Sequence, residues 1–288
     1  MRGMSSSLSA QRIAAHLVPA AAVPRARCAA QTVAVEVVAE TGSTNADLLA
    51  RLAQLEGPLA LVAERQTAGR GRAGRSWHSE PGAVLTFSLA WRFNRPLHGL
   101  TGLPLAVGVA LAETLSALEV PVQLKWPNDV LKEGRKLGGI LIEVAKVPVA
   151  ADAAPQSWAV IGIGLNLKQP ANVLAQIGQP VASLDVPHMD GNLLLGTIIA
   201  NLSDVLTQFD EAGLAAFVER WNRWHAHAGK RVRIQEGERI LHEGRALGIT
   251  GQGALMLETA QGAVSVMSGD VSLRTVENGE EGSHVVTG

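Results

Sequence analysis

Between residues 122 and 167 the chain repeatedly doubles back on itself, and no other feature limits the fold as much. Residues 122–126 and 130–132 are short apolar runs on either side of Pro127-Asn128-Asp129. Glu133-Gly134-Arg135 supplies a second tight turn, and longer strands are predicted at 137–144 and 158–167. Proline, asparagine, aspartate and glycine are the residues that turns require. Strands joined so closely must pair antiparallel, because a parallel crossover takes a dozen residues or more. The segment therefore predicts an α+β fold, a mixed or antiparallel sheet with helices on one face.

The flanking chain extends this sheet. Residues 33–38 and 59–63 are β-branched or apolar and predict two strands, with another at 83–91. Between the first two, Leu48, Leu49, Leu52 and Leu55 form a helical stripe, and Ser43 or Thr44 is placed to cap it. An apolar helix is predicted at 100–118, before Pro121, and amphipathic helices at 193–209 and 214–224. Residues 168–190 are a polar connector with a short helical piece at 173–177; long connectors tend to be functional or mobile. After Gly229 the period changes to short β segments punctuated by Glu236-Gly237 and Gly251-Gln252-Gly253, a small all-β module. The expected division is an N-terminal helix and connector at 1–32, a main domain at 33–228, the β module at 229–277 and a disordered tail at 278–288.

Composition excludes several classes. With 25 basic and 26 acidic residues the net charge is −1, which does not describe a nucleic-acid-coating chain or a polybasic membrane binder. The single cysteine, Cys28, excludes an internal disulfide framework and a cysteine-built zinc site and fits a reducing compartment. The longest apolar run, 103–115, is short for a membrane span and contains Glu113. Residues 1–35 lack acids and carry Arg2, Arg12, Arg25 and Arg27, as transit peptides do; a short helix at 8–17 and an Ala/Pro connector is the reading adopted. His225 and His227, two apart, read as an exposed helix end rather than a metal pair.

Three segments carry candidate chemistry. The first is the loop 64–77, where Arg65, Arg70, Arg72 and Arg75 alternate with Gly69, Gly71 and Gly74. Glycine lets the backbone approach a ligand, and arginine offers paired donors to carboxylate or phosphate. An anionic small molecule is the expected occupant, against a solvated basic turn or an RNA-binding segment. The second pairs Lys125-Trp126-Pro127-Asn128-Asp129 with Arg135-Lys136-Leu137-Gly138-Gly139, bringing two lysines together in an apolar region, where an ammonium needs an anion. Lys132, beside the turn, is expected to be solvated. The third is Gly162-Ile163-Gly164-Leu165-Asn166, whose glycines remove side chains where something packs closely.

Taken in order, Gly42-Ser43-Thr44-Asn45, Gln66-Thr67-Ala68-Gly69-Arg70-Gly71-Arg72, the two lysine segments and Gly162-Ile163-Gly164-Leu165-Asn166 closely resemble the biotin protein ligases, biotin–[acetyl-CoA-carboxylase] ligase, over residues 33–276. The resemblance implies a catalytic domain related to class II aminoacyl-tRNA synthetases and lipoate ligases, followed by an SH3-like barrel. It implies that biotin and ATP form biotinyl-5′-AMP, with Mg²⁺ accompanying ATP, and that biotin then moves to a lysine of the biotin carboxyl carrier protein. On the family's pattern Ser43, Thr44, Asn45 and Gln66 hold biotin. Gly69, Arg70, Gly71, Arg72, Trp77, Lys136, Gly138, Gly162, Gly164 and Asn166 complete the biotin and adenylate site. Lys136, Arg72, Lys125 and Asp129 are the expected catalytic groups, with Asn128 and Asp129 as candidate helpers for the metal. Only 32 residues precede the first strand, so a DNA-binding domain and repressor function are not expected. The implied location is cytoplasmic, and a homodimer is left open. Lipoate–protein ligase and a non-catalytic nucleotide or RNA binder are the alternatives.

Overall fold

The computed structural model describes residues 7–17, 33–147, 154–168, 181–186, 189–269 and 271–275. The connector expected at 18–32, the helical piece at 173–177 and the tail at 278–288 lie outside the described residues. The chain divides into two units, residues 1–226 and 227–288.

The first unit contains α1 (Ala10–Ala15), β1 (Ala34–Thr41), α2 (Thr44–Arg51), β2 (Leu59–Gln66), β3 (Val84–Phe93), α3 (Leu103–Ala117), β4 (Gln123–Lys125), β5 (Asp129–Lys132), β6 (Arg135–Lys146), β7 (Ser157–Asn166), α4 (Gly191–Ala212) and α5 (Val218–Arg223). The strands form one mixed sheet in the order β1-β2-β3-β7-β6-β5-β4. Of these strands only β1 and β2 pair in parallel, and α2 is the crossover between them. β2 runs three residues past its predicted end because Gln66 still pairs with Thr41 of β1. α3 starts later than predicted, since Gly102 takes a left-handed φ of 82° and Pro104 fits only the first helical turn. The helix predicted at 214–224 is split into a 3₁₀ turn, Gly213–Phe217, and the short α5.

Side chains alternate across the sheet, and the two faces differ. One face carries Phe87, Leu89, Phe93, Ile140, Ile161, Ile163 and Leu165, all buried. α3 and α4 cover it. Gly108 of α3 lies over Leu124 and Ile140, and Phe209 of α4 meets Phe93 edge-on with centroids 6.1 Å apart. α3 and the turn before it are long and apolar enough to cross a membrane by length and composition, but this is the core helix of the unit. The opposite face is covered at one end by α2, whose Leu48 and Leu52 pack with Leu59, Leu61, Ala90, Trp158 and Val160. Burying Leu48 completely stabilises this end by ~1.5–3 kcal/mol. Helices therefore lie on both faces, not one. α2 is too short to cover its whole face, and the remainder is open.

The second unit is a five-stranded antiparallel sheet of β8 (Arg231–Glu236), β9 (Arg239–Ile249), β10 (Leu255–Thr259), β11 (Gly262–Val266) and β12 (Ser272–Thr275), ordered β11-β10-β9-β8-β12. β8 to β11 form a meander and β12 returns to the outer side of β8. Val232, Ile234, Ala246, Leu255, Leu257 and Leu273 are among its buried residues, as period-two alternation requires.

Candidate active site

Where α2 ends its cover, a cavity of about 340 Å³ opens on the sheet. Its floor is the bare side of β7, Gly162, Gly164 and Asn166, with Thr86 and Ser88 of β3 on one side and Gly139 and Leu141 of β6 on the other. From residue 162 to 166 the floor runs ~13 Å at the usual rise of a strand.

The end near Gly162 is neutral and polar. Ser43 caps α2, its hydroxyl accepting from the Ala46 amide, and so fixes the next two residues against the sheet. The Thr44 amide donates to Gln66 Oε1 at 2.8 Å, and Thr44 Oγ1 lies 3.0 Å from the same oxygen and 2.6 Å from Ser88 Oγ. Ser88 donates to Asn45 Oδ1 at 2.5 Å, and Asn45 Nδ2 donates to Glu143 Oε2 at 2.9 Å. A Cβ at residue 162 would overlap Asn45 Oδ1, so that glycine is the seat of the asparagine. Thr44, Asn45, Gln66 and Ser88 are all buried, where unpaired polar groups would be costly; their mutual bonds remove that cost.

The loop after β2 is a small hairpin. Gly71 N–H donates to Arg75 O at 2.6 Å, Trp77 N–H to Gly69 O at 2.9 Å, and Ala73 and Gly74 turn the tip with positive φ. Gly69 has the Trp77 carbonyl against its Cα, so its role is to close the hairpin; it does not line the cavity. Trp77 reaches back over the floor and lies on Gly164, where a Cβ would overlap the indole. Its buried indole N–H has no hydrogen-bond partner. Arg70 Nη2 pairs with Glu143 at 3.0 Å, and Arg72 Nη1 donates to Asn128 Oδ1 at 3.2 Å.

The other end is cationic. Lys136 Nζ meets Asp129 Oδ1 at 2.6 Å and lies 5.9 Å from the Trp77 ring centroid. The anion that an ammonium in this apolar region needs is supplied by the protein itself in Asp129. Neither expected metal helper is free: Asp129 is paired, and Asn128 donates to Ile140 O while accepting from Arg72. Asp129 lies behind Lys136 rather than on the cavity wall. Gly138 is also outside the wall; its Cα abuts Leu165 and the Gly164 carbonyl on the packed side of β6. Lys125 does not line the cavity. Through the pairings 125 with 129 and 129 with 139 it shares the cavity's sheet face, two strands beyond Gly139, roughly 10 Å at ordinary strand spacing.

Lys132 is not the solvated lysine expected. Its Nζ donates to Ser183 O and Leu184 O at 3.0 and 2.9 Å, and Asn166 Nδ2 donates to Ala182 O at 3.0 Å. Together they fasten residues 181–186 beside the cavity, where Val181 joins the wall. Asn166 thus serves the wall through the backbone it holds. His225 and His227, expected to be exposed, are buried, and among the described residues no group of three metal-ligating side chains is present.

Sequence reasoning missed Ser88, Glu143 and Asn166's anchoring role. Thr86 and Ser88 do carry a signal: two hydroxyls at alternate positions of an otherwise apolar strand mark a polar stripe on its inner face. Glu143 carries none, because an acidic residue near a strand end reads as a solvated one.

Comparison with known proteins fits this geometry. Residues 35–166 match the model of the biotin/lipoate A/B protein ligase family, and residues 227–274 that of the biotin protein ligase C terminal domain. Over 246 residues the chain is 36% identical to the bifunctional ligase/repressor BirA of Escherichia coli, spanning 84% of this chain and 75% of that protein. The chain belongs to the biotin protein ligase family. It is also 36% identical over 247 residues to the biotin–[acetyl-CoA-carboxylase] ligase of Mycobacterium tuberculosis, spanning 82% of this chain and 88% of that one. Among solved structures, the biotin protein ligase of Aquifex aeolicus in complex with biotin and ATP superimposes with a TM-score of 0.68 at 28% identity, over 84% of this chain and 99% of that one. In this biotin protein ligase the motifs read from sequence at 43–45, 66–77 and 162–166 surround one cavity.

Proposed function

We propose that this chain activates biotin with ATP, forming biotinyl-5′-AMP and pyrophosphate, and transfers the biotinyl group to a lysine of the biotin carboxyl carrier protein. The carrying observation is the polarity of the cavity: a neutral hydrogen-bonding end at Thr44, Gln66 and Ser88, and a charged end with the Arg72 guanidinium and the Lys136–Asp129 ion pair. A ligand with an uncharged polar head and a carboxylate tail suits that arrangement; the Mycobacterium tuberculosis relative is named for biotin, and the Aquifex aeolicus structure is a complex with biotin and ATP.

In this reading the head of biotin sits over Gly162 and its chain runs along Gly164 under Trp77. Its carboxylate attacks the α-phosphorus and pyrophosphate leaves. Attack brings two anions together, and Arg72 and Lys136 offset the repulsion with charges already in place. Lys125, farther out on the same face, is placed for the pyrophosphate end. In the second step the acceptor amine attacks the acyl carbon and AMP leaves with the electron pair of the broken anhydride. The hairpin 69–77 and the fastened segment at 181–186 flank the mixed anhydride and limit water. Mg²⁺ enters with ATP as part of the substrate, held mainly by phosphate oxygens. The described residues offer no cage of three or more metal ligands, and no step is assigned to a resident ion. A cytoplasmic site of action agrees with the use of ATP and the single cysteine.

ATP–pyrophosphate exchange with a panel of acids tests the first step. Exchange that requires biotin is expected; exchange that requires lipoate, or none with any acid, overturns the reading. Transfer to purified carrier protein, read by mass, tests the second.

A further inference from the structure

Glu143 lies outside every sequence motif, yet it joins the two halves of the cavity. Its Oε2 accepts from Asn45 Nδ2 at 2.9 Å and from Arg70 Nη2 at 3.0 Å; Oε1 is 3.2 Å from the same guanidinium nitrogen. One carboxylate oxygen therefore ties the start of α2 to the hairpin that lies over the floor.

A carboxylate can only accept, and this fixes the orientation of everything beyond it. Asn45 must turn its NH₂ to Glu143, so its Oδ1 faces Ser88. Ser88 has one proton and gives it to Asn45. At its 2.6 Å contact with Thr44, Ser88 can then only accept, in competition with Gln66 Oε1, to which Thr44 Oγ1 also donates. Donation therefore runs one way from Ser88 to Asn45 to Glu143, while the single Thr44 hydroxyl proton lies between Gln66 Oε1 at 3.0 Å and Ser88 Oγ at 2.6 Å. At the same time, the Arg70 guanidinium is neutralised by a protein carboxylate. Of the arginines in the hairpin, this one holds the loop in place, while Arg72 keeps the role of meeting the anionic tail.

We infer that Glu143 is a positioning residue for biotin: it sets the direction of the Ser88–Asn45 hydrogen bond and pins the hairpin through Arg70. The inference rests on the biotin reading of this cavity. It makes a specific demand on kinetics, because the cavity-lining groups that Glu143 orders, Asn45 and Ser88, lie at the neutral end, whereas Arg72 at the nucleotide end has its own hold on Asn128. Glu143→Gln keeps the shape, removes the charge and weakens both bonds. The KM for biotin should rise about tenfold to a hundredfold, the cost of a weakened hydrogen bond to a charged group. The KM for ATP and the thermal midpoint should stay at their wild-type values.

The rescue is a swap. Asn45→Asp alone sets two carboxylates against each other and should weaken biotin binding as much or more. In the double variant Glu143→Gln with Asn45→Asp, the carboxylate now at position 45 accepts from Ser88 and from the amide nitrogen now at position 143, and the amide oxygen at 143 accepts from Arg70. Ser88 again donates to residue 45, although the last link now runs from 143 to 45, and biotin KM should return to within about threefold of wild type.

The measurements are biotin-dependent ATP–pyrophosphate exchange and thermal unfolding of the full chain. Wild-type exchange without biotin dependence would sink the activity and this inference together. With wild-type dependence in place, an unchanged biotin KM in Glu143→Gln overturns the inference alone. So does a parallel rise in both KM values with a fall in the thermal midpoint, the mark of general loosening, and so does a double variant no better than Asn45→Asp.

Discussion

Replacing Gly164 by alanine tests the geometry of the site with a single methyl group. The added Cβ would sit inside the Trp77 indole, overlapping its ring atoms. β7 cannot retreat, because its other face, with Ile163 and Leu165, is packed in the core at 2% exposure or less. Trp77 is therefore the group that must move, and with it the hairpin closed by the Trp77 to Gly69 hydrogen bond. Forcing a methyl into a filled position costs about 1–3 kcal/mol, and here the cost falls on the closed hairpin rather than on the core. If biotin binds only under the closed hairpin, its Kd rises roughly 5- to 150-fold while the thermal midpoint changes little. Isothermal titration with biotin and a thermal unfolding scan would measure both. Gly57→Ala is the control, since a Cβ there meets nothing within 4 Å. Trp77→Leu in the Gly164→Ala background should recover part of the affinity by removing the overlap. Wild-type biotin affinity in Gly164→Ala, with the thermal midpoint unchanged, would show that the tryptophan does not need that glycine.

Three further outcomes are expected. Lys136→Ala should slow adenylate formation on the order of 10²–10³-fold, read as single-turnover pyrophosphate release, whereas Lys146→Ala on the exposed end of β6 should match wild type; Lys132 is unsuitable as that control because it holds residues 183 and 184. Arg72→Gly should release biotinyl-5′-AMP faster while leaving the thermal midpoint near wild type, since the hairpin contributes no buried side chain of its own at 72–74; a large fall in stability with normal retention would make Arg72 structural. The Arg51 guanidinium hydrogen-bonds Glu36 at 2.7 Å on both oxygens and holds its carboxyl below the ordinary 4.5; the resulting stabilisation is complete above pH 4.5 and is lost as the pH falls through the lowered value, and for so exposed a pair it amounts to less than about 1 kcal/mol. Denaturant unfolding of wild type and Glu36→Gln at about pH 7 and about pH 3 should converge at the lower pH.

Much of this was legible in the sequence because it is local. Turns at 127–129 and 133–135 declare antiparallel pairing, and the spacing of Leu48 and Leu52 declares the buried side of α2. The glycines at 162 and 164 announce a close approach, but not what approaches: the partners, Asn45 on α2 and Trp77 on the hairpin, come from far earlier in the chain. Lys132 and Lys136 look alike in sequence, four apart on one hairpin. Their fates differ because one meets the carbonyls of residues 183 and 184 and the other meets Asp129 across the strands. Helices on both faces were missed for a similar reason: the stripe on α2 is clear, but the face it chooses depends on the parity of strands far along the chain.

The bare side of β7 also limits how this pocket could be remade. Its floor is built on glycines at 162 and 164, the smallest residues there are, and the reverse of the same strand is locked into the core by Ile161, Ile163 and Leu165. No substitution at those glycines can deepen the pocket. A bulkier acyl group could be admitted only from above, by trimming Trp77 or Asn45, and the first of those covers the floor at Gly164 while the second orders the hydroxyl beneath it. Substrate range and the cover and polarity of the floor are thus set by the same two side chains, so a search for variants with altered acids should begin with paired changes at 77 and 164 or at 45 and 143 rather than with single ones.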